Sequence, residues 1–275
     1  MNLGLMGCTK IDNDPKLGDC VNRYVYRFPI SAQWDGEHLE YHSFENSVSE
    51  FRQWVENEDG CWAPLRRAFV VDTSDLFHLD VPFSFIEKVH TDLIELPEFS
   101  KVVFRECTKR MHIMHQFYME RTRAGKAIPK NVWIGASIES SAFLPRLDHL
   151  AKIAALEKKH KVVTWCSTEP MLDDMTSSPR FAERLGALAK AGAQPAVWVI
   201  GSESGTGARP LDTKGVINLI SAVESEKNGG SFVFYKQETS KAPRQGAGGD
   251  TCPCGCGRNN HDQLALNKVQ DAQDL

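Results

Sequence analysis

Short apolar runs recur along this chain, and reactive polar residues follow each one directly. Ala68-Phe69-Val70-Val71 leads into Asp72, Ser74 and Asp75. Lys101-Val102-Val103-Phe104 leads into Arg105, Cys107, Thr108, Lys109 and Arg110. Asn131-Val132-Trp133-Ile134 precedes Gly135, Ser137 and Glu139, and Val162-Val163-Thr164-Trp165 precedes Cys166, Ser167 and Glu169. Ala196-Val197-Trp198-Val199-Ile200 runs into Gly201-Ser202-Glu203-Ser204-Gly205. Ser231-Phe232-Val233-Phe234-Tyr235 runs into Lys236-Gln237. Runs this rich in Val, Ile, Phe and Trp predict strands buried on both faces.

Helical periodicity fills the intervals. Ser43 can cap a helix over 44–56, with Phe44, Val48, Phe51 and Val55 at helical spacing. A second helix is predicted after Pro82, with Phe85, Ile86, Val89 and Leu93 on one face. Further helices are expected near 110–122 and near 143–157, the latter burying Leu147, Leu150 and Ile153. The next, near 179–191, carries Phe181, Leu185, Leu188 and Ala189. The last, near 213–226, carries Val216, Ile217, Ile220 and Val223.

Strand–helix alternation argues parallel βαβ units. The expected fold is α/β: a partial or complete TIM-like (β/α) barrel with parallel strands, with a further short strand over 2–6. An open doubly wound sheet is the alternative. Residues 1–240 read as one barrel-like domain, opening on an irregular loop over 1–42 that carries Cys8 and Cys20. Residues 241–275 form a Gly- and Cys-rich tail. In a parallel sheet all strands share one C-terminal edge, so the polar groups after them are expected at one mouth.

Composition narrows the setting. The chain has 275 residues, 41% hydrophobic and 25% charged, as in soluble globular proteins. No apolar run approaches the ~20 residues that span a bilayer. The first residues lack a signal-peptide pattern. A cytoplasmic protein is expected, with no membrane partner. A net charge of −4 gives no global pull toward nucleic acid, although a local basic patch can still provide one.

Candidate chemistry lies at the strand ends. Glu139, Glu169 and Glu203 hold equivalent places and can bind an amine, hold a metal or act as acid and base; charge complementarity at helix N-termini competes with these roles. The glycines of 201–205 permit close backbone approach to a ligand, and a tight turn is the plainer reading. Arg105, Lys109, Arg110 and Lys236 can form a phosphate or carboxylate pocket, or else neutralise the glutamates. Arg209 can answer Glu203 or bind an anion. Asp75 and His78 resemble an acid/base pair by residue type, or a packed histidine.

Eight cysteines in a cytosolic chain favour metal, cluster or catalytic roles over disulfides. Cys252, Cys254 and Cys256, with His261 beyond, can bind zinc or a cluster, or belong to an unstructured tail. Cys107 and Cys166 sit at strand ends and can reach the mouth, or pack as small hydrophobes.

These residues resemble a phage-encoded family filed as a domain of unknown function (number 5131), named after mycobacteriophage gene products 37 and 68. The matching segments run in the family's order. They are Gly7-Cys8-Thr9-Lys10, Ser74-Asp75-Leu76-Phe77-His78 with Val81-Pro82, Thr108-Lys109-Arg110, and Asn131-Val132-Trp133-Ile134-Gly135 with Ser137, Glu139 and Arg146. Glu169-Pro170-Met171-Leu172 follows, then 198–205 with Ala208-Arg209-Pro210, and Phe234-Tyr235-Lys236-Gln237.

The family looks like a relative of radical S-adenosylmethionine enzymes. The resemblance implies a partial barrel, a [4Fe-4S] cluster on three N-terminal cysteines, and S-adenosylmethionine at the cluster's open iron. It implies metal ligands at Cys8 and Cys20, with Cys61, Cys107, Cys166 or the 252–256 group as substitutes for the third. S-adenosylmethionine contacts would come from Ser137, Glu139, Glu169, Gly201, Ser202, Glu203, Ser204 and Gly205. Substrate contacts would come from Asp75, Lys109, Arg110, Arg209, Lys236 and Gln237. The family's third cysteine precedes a tyrosine; here that place holds Arg23, before Tyr24. Arginine supplies no thiolate.

Three functions follow as expectations. The first is a phage-type radical-SAM-like protein in the host cytoplasm, acting on an anionic small molecule or nucleic acid. The second is a cluster-free binding protein on the same barrel. The third is a metal-dependent hydrolase using the rim carboxylates.

Overall fold

A computed structural model describes residues 48–49, 51–52, 67–70, 75–203, 208–225 and 230–235. Six strands stand in the sheet in chain order: β1 (Arg67–Phe69), β2 (Val103–Thr108), β3 (Val132–Ser137), β4 (Val163–Thr168), β5 (Pro195–Ile200) and β6 (Phe232–Tyr235). β1 with β2, β4 with β5, and β5 with β6 pair in parallel. A doubly wound sheet carries a reversal of strand order, and this one has none. Among the described residues, five α-helices lie between the strands: α1 (Phe83–Val89), α2 (Met111–Arg123), α3 (Arg146–Leu156), α4 (Pro179–Lys190) and α5 (Thr213–Glu224). Among the described residues, no helix is long and apolar enough to cross a membrane.

The chain divides into two compact units, 1–133 and 134–275, with the boundary inside β3. In the first unit, β1 sets Ala68 beside Phe104 and Phe69 beside Arg105. Phe104 packs with Phe51 and Phe99, whose rings meet edge to face at 5.1 Å. Residues 48–49 and 51–52 are helical, within the span predicted for the first helix. α1 buries Phe85, Ile86 and Val89 as its periodicity requires, then passes into a π-helical turn, His90–Ile94, that buries Leu93.

In the second unit, α3 buries Leu147, Leu150 and Ile153, and α4 buries Phe181, Leu185 and Leu188. Phe181 meets the Trp198 ring of β5 at 6.3 Å, and Trp198 Nε1–H donates to Thr168 Oγ1 (2.7 Å). α5 departs from expectation: Val216, Leu219 and Val223 face inward, while Ile217 is 58% exposed. Gly215 explains the rotation. A Cβ there would stand 3.0 Å from Asp174 Cβ and 3.1 Å from Met171 Cε, so only this face of α5 can approach so closely.

The strands also run further than their apolar cores. β2 extends to Thr108, β3 to Ser137 and β4 to Thr168. Arg105, Cys107, Thr108, Ser137, Cys166 and Ser167 are therefore strand residues, and the pleat alternates their side chains between two faces.

Candidate functional site

In the first unit, β2 alternates half-buried and buried positions along its whole length. Phe104, Glu106 and Thr108 are buried. Phe104 lies on the Phe51–Phe99 cluster, and Glu106 accepts the Tyr118 hydroxyl of α2 (2.6 Å). Arg105, Cys107 and Lys109 are the half-buried positions of the alternation. Arg110 takes the buried phase. It reaches Asp75, which follows β1, and donates from Nη1 to Oδ2 at 2.8 Å. β2 ends at Thr108, and the turn into α2 takes Arg110 to Asp75 and out of the basic pocket in which the sequence grouped it with Arg105 and Lys109.

Asp75 is held on every side. It accepts Phe77 N–H (3.0 Å) and the Thr108 hydroxyl (2.8 and 2.9 Å) as well as Arg110. Thr108 Oγ1 in turn accepts Arg110 N–H (2.9 Å) as the chain turns into α2. His78 is buried nearby, and Asp80 N–H donates to its Nδ1 (3.2 Å). Burial holds its pKa below 6.5, and the Arg110 guanidinium adds to this, against smaller opposing effects of Asp80 and Asp75. His78 is therefore neutral at neutral pH, and the Asp75 carboxylate is taken up by Arg110, Thr108 and the Phe77 amide.

In the second unit, the Ser137 hydroxyl donates to Glu139 Oε1 (3.0 Å). Arg146, in the first turn of α3, donates from Nη1 to Glu139 Oε2 (2.7 Å) and to the Ser137 carbonyl (2.6 Å). Its guanidinium lies over the Phe143 ring at 4.0 Å. In the sequence Arg146 stands only among the residues that match the family, with no role attached; its place seven positions after a strand-end glutamate is a further signal.

β4 and β5 bring Glu169 against Gly201: a Cβ on Gly201 would lie 2.7 Å from Glu169 Oε1. The segment after β4 is tied on both sides. Met171 N–H donates to the Gly201 carbonyl (2.9 Å) and Leu172 N–H to the Glu139 carbonyl (2.8 Å). Ser141 donates its N–H and hydroxyl to Asp173. Residues 169–173 therefore strap the end of β3 to the end of β5. Ser202, 8% exposed, has an Oγ with no hydrogen-bond partner, as does buried Ser140. Glu203 receives Arg209 through N (2.9 Å), Nε (2.7 Å) and Nη2 (3.2 Å).

Neither Cys107 nor Cys166 is in a disulfide. Cys166 is fully buried and pairs in register with Trp198, so it shares the face that meets α4. Cys107 is half-buried on β2. Among the described residues, no three His, Cys, Asp or Glu side chains group as a metal site. The expected residues Cys8, Cys20, Ser204, Gly205, Lys236, Gln237, Cys252, Cys254 and Cys256 lie outside the described residues, as do Arg23 and the strand expected over 2–6. Of the cysteines named as substitute ligands, Cys166 is fully buried on the side of β4 that meets α4, Cys107 is half-buried on β2, and Cys61 lies outside the described residues.

A family model described as "Protein of unknown function (DUF5131)" matches residues 4–263. No curated protein and no solved structure matches the chain.

Proposed function

The chain belongs to the DUF5131 family of proteins of unknown function, and from that premise we propose a cluster-free ligand-binding protein on a partial (β/α) barrel of radical-SAM type. Sequential strand order with a helix between successive strands supports the barrel reading. The family resemblance supports a phage-type protein of the host cytoplasm. Arg23, in place of a thiolate, supports the loss of the cluster.

The ligand is S-adenosylmethionine or a molecule of the same kind, an amino acid joined to a nucleoside. The observation that carries this reading is the juxtaposition of Glu169, Gly201 and Ser202. A half-buried carboxylate lies on a glycine backbone, and the next residue holds an unpartnered buried hydroxyl. A carboxylate in such a place favours an ammonium group. A hydroxyl without a partner costs free energy until a ligand or water satisfies it. Glu139 and Glu203 are already bound by Arg146 and Arg209, so they shape the rim rather than act as acid or base. The same pairing disfavours the hydrolase reading, which needs carboxylates available to a metal.

Calorimetry with S-adenosylmethionine on anaerobically purified, cluster-reconstituted protein tests both halves. The expected result is binding without retained iron, weakened about tenfold or more by Glu169→Gln. Absence of binding overturns the ligand assignment. A bound [4Fe-4S] cluster with reductive cleavage of S-adenosylmethionine establishes the second reading, a radical enzyme, which Cys8 and Cys20 favour by their place in the family order.

A further inference from the structure

We infer that the turn from α3 into β4, with the end of α4 beside it, binds the sugar–phosphate backbone of a nucleic-acid duplex without reading its sequence. This goes beyond the ligand reading and does not rest on it, because the surface lies at the opposite edge of the strands. Lys158, Lys159 and Lys161 stand after the end of α3 and before Val163, where β4 starts. Lys152 lies one turn back from the end of α3, and Lys190 closes α4.

These pieces are held together. Arg184 of α4 grips Asp148 of α3 (Nε–Oδ1 3.0 Å, Nη2–Oδ2 3.1 Å), and both helices run on from that contact toward the starts of their next strands. The Thr164 hydroxyl of β4 donates to the Ala193 carbonyl (2.9 Å), and Thr164 pairs in register with Pro195. The start of β4 and the turn that follows Lys190 are thereby neighbours.

All five lysines are exposed. Among the described residues, none of their side chains is in an ion pair or a hydrogen bond. The one acid of the turn, Glu157, is tucked beneath it: Lys158 N–H and Lys159 N–H donate to its Oε1 (2.9 and 2.8 Å), and its side chain is only 4% exposed. The exposed Glu224 stands at the end of α5, one βα unit further on. Helix C-termini attract cations, which accounts for Lys190 in the last turn of α4. It does not account for the others, because the last turn of α3 carries no basic residue and Lys158, Lys159 and Lys161 lie beyond it.

A phosphodiester backbone is the partner this chemistry fits. Lysine offers a compact charge without arginine's planar fork, so it suits a repeating array of phosphates. Protein and membrane partners call for an apolar anchor as well. Among the described residues of this unit, the exposed large apolar side chain is Ile217, in the first half of α5 and toward the other strand edge. The turn carries no Phe, Trp or Tyr on which the bases of a single strand could stack, which favours a duplex. The net charge of −4 does not oppose this at physiological salt, where screening over ~8 Å leaves the patch to act locally.

The test is fluorescence anisotropy of the full chain with labelled DNA duplexes of two unrelated sequences, across salt concentrations. Both duplexes are expected to bind alike, with a Kd of about 10⁻⁴–10⁻⁶ M and a log–log salt slope of about −4 to −5, as five phosphate contacts imply. Lys158→Gln is expected to reduce the slope by about 1. The triple variant Lys158→Glu/Lys159→Glu/Lys161→Glu is expected to weaken binding about tenfold or more. Glu169→Gln should leave duplex binding unchanged, so the two readings fail independently.

No binding at about 50 mM salt overturns the proposal, as does wild-type affinity in the triple variant when circular dichroism shows it folded. Tighter binding to phosphatidylserine vesicles than to the duplexes assigns the patch to a membrane surface and overturns it too. If the triple variant fails to fold, Lys158→Gln and Lys161→Gln carry the test, and an unchanged salt slope in both refutes it.

Discussion

Glu169 Oε1 occupies the space into which a side chain on Gly201 would grow, 2.7 Å from the ideal Cβ position. Gly201→Ala therefore has to push the carboxylate off β5. That atom is the far end of a flexible, half-buried side chain, so the shift costs little, and urea unfolding should show a loss of at most about 1 kcal/mol, the low end for overpacking. The same variant should lose S-adenosylmethionine affinity, because the displaced carboxylate no longer lies beside Ser202. Unchanged stability and affinity would mean that the Glu169 side chain is not held in this place.

The Asp75–Arg110 pair is a buried ion pair with a completed hydrogen-bond set. Arg110→Met leaves Asp75 charged and buried, which costs roughly 3–5 kcal/mol. The double variant Asp75→Leu/Arg110→Met should recover most of that loss. Denaturant midpoints of the three proteins decide the matter. A single variant costing less than about 1 kcal/mol would place the pair among exposed, weakly contributing ones.

His78 gives a pH dependence whose sign can be worked out. Its folded pKa lies below 6.5, so the unfolded chain binds more protons between the folded pKa and 6.5. The stability it contributes is fully present above 6.5 and is lost as pH falls through the folded value. The melting temperature should therefore fall on acidification across this window, and less steeply in His78→Asn. Parallel curves for the two proteins would refute the assignment.

Tyr118 is wholly buried, and its pKa lies well above 10.0, first through burial and then through the neighbouring Glu106 carboxylate. The ring should stay un-ionised in alkaline absorbance titration until the fold is lost. Tyr118→Phe removes the donor to Glu106 and should cost about 1–3 kcal/mol, as for a buried acceptor left short of one partner.

The sequence makes the strand–helix alternation legible because its apolar runs are continuous and its helices carry single stripes, as Phe181, Leu185 and Leu188 do. The rotation of α5 was not legible. Val216-Ile217 and Leu219-Ile220 offer two overlapping stripes, and the choice between them comes from the tight approach at Gly215 to Asp174 and Met171. The rim was legible as a set of strand ends but not as a set of partners. Arg105, Lys109 and Arg110 look alike in sequence; Arg105 is a strand residue, whereas the turn from Thr108 into α2 carries Arg110 to Asp75. Arg146 carries no readable role in the sequence because its partner, Glu139, becomes its neighbour only when α3 folds back onto the end of β3.

The strap over 169–173 has a dynamic consequence. The amides of Met171 and Leu172 are protected by carbonyls just past the ends of two different strands. Neither bond can break by local fraying of one edge alone while the other still anchors the segment. In deuterium labelling the two sites should exchange together and slowly, at the rate of a cooperative opening of the interior rather than that of a surface loop. A ligand seated beside them would slow both to the same degree.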